Sequence, residues 1–318
     1  MVTAFYKVFN EADFLKESLT NIYPFVDRIV MMEYCFESMR QVILPDRVTS
    51  RGLSVDGTTE IIKKFPDPDK KIEYWDIGFL NCGEEVPYQM VVDGIDVGDF
   101  AWVIDGDIVY DTWFAEKIKY WIDSDLYDCI WIPERVFYHD FWHEKHAWYF
   151  EHQRVFRKQS KYSFYYPNNW EVNWIDPVTR VVYNYIRNPE KPEHITFNGK
   201  LMNYRFCNKE TEFAYHYAFV KTIQRTLEKM LWQYNMIDYK WNNERERNSC
   251  KMFHDPLEFK INTHDYFLNH EQFSIAKFDK SQPSIMKNNK WYKYRWDEQP
   301  IQISYEKALK LVKWEGIC

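Results

Sequence analysis

The sequence predicts an α/β protein. Its core is a mixed, mainly parallel sheet flanked by helices, followed by a mainly helical, aromatic-rich C-terminal extension. Three observations predict it. Apolar runs of strand character alternate with amphipathic helical patterns along the N-terminal part. The run Phe100-Ala101-Trp102-Val103-Ile104 is apolar throughout, as a central strand covered on both faces requires. That run breaks at Asp105-Gly106-Asp107, a turn with two carboxylates one residue apart. Strands that alternate with helices imply parallel pairing through right-handed crossovers.

The elements follow in order. Residues 2–8 alternate weakly and read as a first strand. Asn10-Glu11-Ala12-Asp13 opens a helix, with Asn10 placed as its cap. Phe14, Leu15, Ser18, Leu19 and Ile22 fall on one face of that helix. Ile29-Val30-Met31-Met32 is a second strand, and Glu33 stands at its end. Ser54-Val55-Asp56-Gly57-Thr58-Thr59 is a turn with helix-capping chemistry, and residues 60–65 begin the next helix. Ile72-Glu73-Tyr74-Trp75 is a third strand. A helix over 113–121 follows the Asp-Gly-Asp turn, and residues 127–133 form the next strand. Gln153-Arg154-Val155-Phe156-Arg157-Lys158 continues the sheet beyond a stretch rich in His and aromatic residues. Asn188-Pro189-Glu190-Lys191-Pro192-Glu193 is turn-rich and marks the expected boundary between a domain over 1–190 and an extension over 191–318.

Open α/β sheets bind ligands at the carboxyl ends of their strands, where Asp105 and Asp107 fall. Two adjacent carboxylates repel each other unless a cation or donor lies between them. A hard divalent ion is one such partner, and it usually arrives with substrate phosphates. The alternative reading is a solvated turn.

The motifs together resemble family 2 glycosyltransferases. The resemblance rests on Lys7-Val8-Phe9-Asn10-Glu11-Ala12-Asp13-Phe14-Leu15, the Val26-Asp27-Arg28-Ile29-Val30 segment, Asp56-Gly57-Thr58 and Asp105-Gly106-Asp107, in that order, over roughly residues 1–180. It implies a GT-A (Rossmann-like) fold. It also implies a nucleotide-diphosphate sugar as donor and a divalent cation, Mn²⁺ or Mg²⁺, held by Asp105 and Asp107. Glu33, Asp56 and Asp105 would line the donor pocket. His216, in Ala214-Tyr215-His216-Tyr217, matches a His that completes the metal site in similar enzymes; the alternative is a histidine packed among aromatic neighbours. Lys229 and Tyr234 fit the helix that follows that His in the family.

The chain departs from the family pattern at several points. Glu33 stands where an Asp usually contacts the nucleobase, and residues 34–53 intervene before the Asp-Gly-Thr turn. That insertion is either a lid beside the donor pocket or a tolerated surface loop. Asn169-Trp170-Glu171 replaces a His-Glu pair, and Phe278-Asp279-Lys280-Ser281-Gln282-Pro283 lacks the Gly and His of the corresponding segment. Glu171 is nevertheless the expected base that takes the acceptor's proton, with Asp176 and Glu151 as alternatives.

Composition agrees with an enzyme of this kind. The net charge is −7, from 41 basic and 48 acidic residues, which disfavours a general nucleic-acid binder. No signal-peptide pattern and no apolar run of membrane-spanning length are present. The cysteines, Cys35, Cys82, Cys129, Cys207, Cys250 and Cys318, lack metal-ligand spacing and read as reduced thiols, so a cytoplasmic location is expected. Aromatic residues make up 19% of the chain; most must fill the core, and Tyr138, Trp142, Trp148, Tyr149, Trp170 and Trp174 are the candidates for sugar contact. His139, His143, His146 and His152 cluster without a metal template. Lys287 to Arg295 is basic with interleaved rings, which suits either a solvated surface or peripheral contact with anionic acceptors or membrane headgroups.

The expected activity is a metal-dependent, inverting transfer of a hexosyl group to a hydroxyl on a glycan, glycolipid or glycoprotein. Two alternatives remain in view. One is a catalytically inactive GT-A module that binds sugar or serves as a scaffold. The other is a nucleotidyltransferase, which the absence of Gly from residues 5–13 argues against.

Overall fold

The computed structural model describes residues 1–37, 40, 45–81, 85–138, 140–158, 174–175, 182–183, 196–197, 200–201, 203–221 and 275–293. Four strands and three crossover helices build the N-terminal half: β1 (Val2–Val8), α1 (Leu15–Ile22), β2 (Arg28–Phe36), α2 (Thr58–Lys64), β3 (Ile72–Leu80), α3 (Glu85–Asp93) and β4 (Phe100–Asp105). The remaining described strands and α-helix are β5 (Ile108–Tyr110), α4 (Thr112–Asp123), β6 (Cys129–Tyr138), β7 (His143–Arg157), β8 (Trp174–Ile175), β9 (Val182–Tyr183), β10 (Thr196–Phe197), β11 (Lys200–Leu201), β12 (Tyr204–Phe206), β13 (Ala214–Phe219) and β14 (Ile275–Lys277).

The main sheet runs β3-β2-β1-β4-β7-β6-β13-β5, with β12 on β6 and β14 on β7. Strands β1 to β4 are mutually parallel. β7 runs antiparallel to both β4 and β6, which makes the sheet mixed. This is the mixed α/β architecture that the sequence predicts. Its strand order has a decisive consequence. The chain winds outward from β1 to β2 and β3, then returns to place β4 on β1's other edge. That reversal between β1 and β4 is a topological switch point, where a crevice opens beyond the carboxyl ends of the strands. Lys7 pairs with Asp105 across it.

Both faces of the sheet are covered. Ala4, Tyr6 and Val8 of β1 share a core with Leu15, Leu19 and Ile22 of α1, Ile62 of α2 and Phe114, Ile118 and Trp121 of α4. Phe5, one residue out of phase, meets Tyr88 of α3 edge-on at 5.3 Å. The period of two along β1 therefore sends alternate side chains into opposite layers. Trp102, Tyr6 and Tyr110 are among the largest fully buried side chains of the described residues, so these rings go into packing.

The structure revises several local expectations. Asn10 does not cap α1. Its backbone has φ +53°, and its side chain donates to the Arg47 carbonyl (2.9 Å) and accepts from the Val55 amide (3.1 Å). Asn tolerates this left-handed conformation better than most residues. Residues 34–36 belong to β2 rather than to an insertion. The returning loop lies close against β3: Gly78, at φ +74°, would place a Cβ 2.4 Å from the Arg51 carbonyl oxygen. Among the described residues beyond 190, β12 and β13 pair with β6 and β14 pairs with β7. A second core of Phe14, Phe137, Phe141, Tyr215, Tyr217 and Phe278 joins these segments, with Trp291 and Tyr292 packed against it. No helix among the described residues is long and apolar enough to cross a membrane. Cys35, Cys129 and Cys207 are buried and unbridged.

Candidate functional site

The Asp-Gly-Asp turn is fixed from three sides at the switch point. Its glycine sits against the β1–α1 turn, where a Cβ would lie 3.0 Å from Glu11 Cβ and 3.3 Å from Val8 Cγ1. The turn then leads into β5, which pairs antiparallel with β13 and sets Ile108 opposite His216. The Tyr217 amide donates to the Asp107 carbonyl at 2.9 Å. A sheet register, rather than sequence proximity, thus brings His216 to the turn.

Asp107 is almost fully buried, at 1% exposure. Its Oδ1 lies 3.3 Å from His216 Nε2, and its Oδ2 lies 3.5 Å from Lys221 Nζ. Lys221 in turn binds Glu11 Oε2 at 2.7 Å. The other ring nitrogen of His216, Nδ1, lies 2.9 Å from Oε2 of Glu134, a fully buried carboxylate on β6. Glu134 Oε1 accepts from Arg154 Nε at 2.6 Å, and Arg154 donates onward to Asp105 Oδ2 at 2.8 Å. Seven side chains therefore alternate acid and base across the site: Glu11, Lys221, Asp107, His216, Glu134, Arg154 and Asp105. Such a buried set is tolerable only because each charge meets an opposite one.

The electrostatics follow from these contacts. Burial works against charge on His216, but Asp107 and Glu134 on its two nitrogens outweigh it and raise its pKa to about 9. Burial likewise opposes charge on Asp105, but Arg154, Lys7 and His216 hold its carboxyl well below the usual carboxylate range.

Asp105, Asp107 and His216 thus come together, but not as three equivalent donors. Asp105 is turned to Arg154, and the described residues contain no group of three His, Cys, Asp or Glu side chains arranged for a metal. Asp107 and His216 supply one carboxylate and one imidazole. The second nitrogen of His216 rests on a carboxylate, the arrangement that orients a ligating histidine. This pair fits a hard divalent ion that completes its shell with phosphate oxygens and water.

The two other expected pocket residues are not at strand ends: Glu33 lies within β2, opposite Val8 at the end of β1, and Asp56 lies in the turn before α2. Glu33 is fully buried and accepts from the Ser54 amide (2.7 Å), the Thr59 hydroxyl (2.8 Å) and the Tyr74 hydroxyl (2.6 Å). It braces the Ser54–Thr59 turn. Asp56 remains partly exposed, accepting from the Ala12 amide (3.1 Å) and the Thr58 hydroxyl (2.6 Å). It ties this turn to the start of α1.

Glu171 and Asp176 lie outside the described residues, as do Lys229, Tyr234 and Trp170. So do the side chains of Trp148, Tyr149, Glu151 and Trp174. Tyr138 is buried against Phe219, with ring centroids 4.7 Å apart, so its ring packs rather than faces a ligand. His143 sits on Asp140 at 2.8 Å. The sequence reading missed Glu134, Arg154 and Lys221. Burial of acidic and basic residues on facing strands is a long-range property that local sequence pattern does not show.

Fold and site together define a mixed α/β sheet with an ionised cluster at its switch point. No protein-family model matches the chain, and no curated protein matches it. Among solved structures it is similar to S. aureus TarS. The crystal structure of TarS 1–349 gives a TM-score of 0.38 at 12% identity, covering 86% of this chain and 74% of that one. The same protein in complex with UDP-GlcNAc gives 0.36 at 11% identity, covering 99% and 83%. Its complex with UDP gives 0.38 at 12% identity, covering 99% and 82%.

Proposed function

We propose that this protein is a glycosyltransferase that moves a hexosyl group from a nucleotide-diphosphate sugar to a hydroxyl of a carbohydrate or glycoconjugate acceptor, with inversion. The observation that carries the reading is Asp105-Gly106-Asp107 at the carboxyl end of β4, at the switch point, with His216 and Lys221 on Asp107. The motif resemblance in the sequence supports the same class.

The residues divide the work. Asp107 and His216 would hold a divalent cation, which when bound supplies charge neutralisation to the leaving diphosphate. Lys221 places a further positive charge beside that position. Arg154 keeps Asp105 ionised and fixed. Asp56, at the edge of the turn that Glu33 braces, is the acceptor proposed for hydrogen bonds from the nucleoside. Glu171, or else Asp176, takes the proton from the attacking hydroxyl on the opposite face of the sugar.

Binding tests this directly. In thermal melts with Mn²⁺, a panel of nucleotide sugars should include one that stabilises the fold. At 100 times its dissociation constant it should add about 2.7 kcal/mol. For that donor's nucleoside diphosphate, Asp56→Ala should weaken affinity roughly 10- to 100-fold by calorimetry, the worth of a hydrogen bond to a charged group. Glu33→Ala should weaken it too, and should lower stability by about 1–3 kcal/mol for each buried donor it strands. Unchanged affinity in both variants would move the pocket elsewhere.

A further inference from the structure

We infer that Glu134 is the positioning residue of this site, a single buried carboxylate that orients both arms of the Asp-Gly-Asp turn. The inference rests on the reading of Asp107 and His216 as cation ligands. Glu134 lies in the middle of β6, fully buried, where an acid has no reason to sit unless its partners require it. One oxygen receives Arg154, which carries the contact on to Asp105. The other meets Nδ1 of His216, whose Nε2 faces Asp107.

Two consequences follow from this geometry. The Glu134 carboxylate, 2.9 Å from Nδ1, favours a proton on that nitrogen, so a cation that displaces the Nε2 proton would meet the Nε2 lone pair beside Asp107. It also holds the Arg154 guanidinium in register, so Asp105 is committed to Arg154 and does not compete for that cation. The sheet makes the arrangement rigid. Glu134 stands opposite Ala214 in the β6–β13 pairing, two residues before the Val136–His216 pair, and β7 delivers Arg154 from the other side.

Glu134→Gln discriminates sharply. It preserves volume but offers one acceptor oxygen where Glu offers two. Its NH₂ must then face Arg154 or His216, both of which are donors.

The test has two arms on the full chain. In the first, NMR of histidine-labelled, metal-free protein should show a slowly exchanging Nδ1 proton, assigned to His216 by its loss in His216→Gln. That proton should vanish in Glu134→Gln. Its absence from the wild type, or its persistence unchanged in Glu134→Gln, overturns the proposal. The wild-type resonance needs no Glu134 variant, so this arm holds even if Glu134→Gln fails to fold. In the second arm, calorimetric titration with Mn²⁺ should show affinity about 10- to 100-fold weaker in folded Glu134→Gln, partly restored in Glu134→Asp. Equal affinity in wild type and Glu134→Gln overturns it. A wild type that keeps the Nδ1 proton yet has no affinity for Mn²⁺ sinks the cation reading and supports Glu134 as the residue that orients His216.

Discussion

Asp107→Asn is expected to lower the rate of sugar transfer by about 10²- to 10³-fold while leaving the protein folded. The magnitude is that of removing one preorganised electrostatic contact from a developing charge. Folding should survive because the buried partners are not stranded. Lys221 keeps Glu11, at 2.7 Å, and His216 keeps Glu134, at 2.9 Å. Asn also retains the shape that lets the Asp-Gly-Asp turn sit against Glu11 and Val8. The measurement is kcat/KM alongside a thermal melt. A folded Asp107→Asn protein that transfers sugar at the wild-type rate would remove this turn from the mechanism.

Glu171→Gln carries the second large effect. A general base acts only in the transition state, so kcat should fall about 10²- to 10⁴-fold while donor affinity stays nearly constant. Gln keeps the volume and removes the basicity. If Glu171 instead orders its segment by pairing with an arginine, the substitution will lower stability and spare the rate per folded molecule. A normal kcat in Glu171→Gln with a large loss in Asp176→Asn would assign the base to Asp176 and leave the donor side of the mechanism in place.

These two residues also mark where sequence reading works and where it stops. The alternation of strands and helices was legible because burial on both faces imposes a local pattern: α1 shows its apolar face and β4 its unbroken apolar run. The Asp-Gly-Asp turn was legible because it punctuates that run. His216 drew notice from the sequence, but its contact with Asp107 is created by β13 pairing with β5, a partnership between residues more than 100 positions apart. Glu134, Arg154 and Lys221 left no local trace. Their chemistry depends on which strands become neighbours, and β7, whose early part reads as a His- and aromatic-rich stretch, is a single strand from His143 to Arg157.

In the sequence, the two carboxylates of the turn are expected to repel each other unless a cation or donor lies between them. The structure gives each its own: Arg154 for Asp105, and Lys221 with His216 for Asp107. The case for a metal therefore rests on the Asp107–His216 pair and on the Glu134 contact that orients the imidazole. Asn10 teaches a similar lesson, since a residue with cap chemistry before a helix was recruited by the loop at residues 47–55 instead.

The most direct test is release of labelled sugar from a nucleotide-diphosphate donor by the purified chain, measured with Mn²⁺, with excess EDTA, and in Asp107→Asn. Turnover of at least one donor with Mn²⁺, lost in EDTA, restored by added Mn²⁺ or Mg²⁺ and absent from the folded variant, is the expected result. Full turnover in EDTA would contradict the role of the cation, and no binding or turnover of any nucleotide sugar would contradict the assignment as a glycosyltransferase.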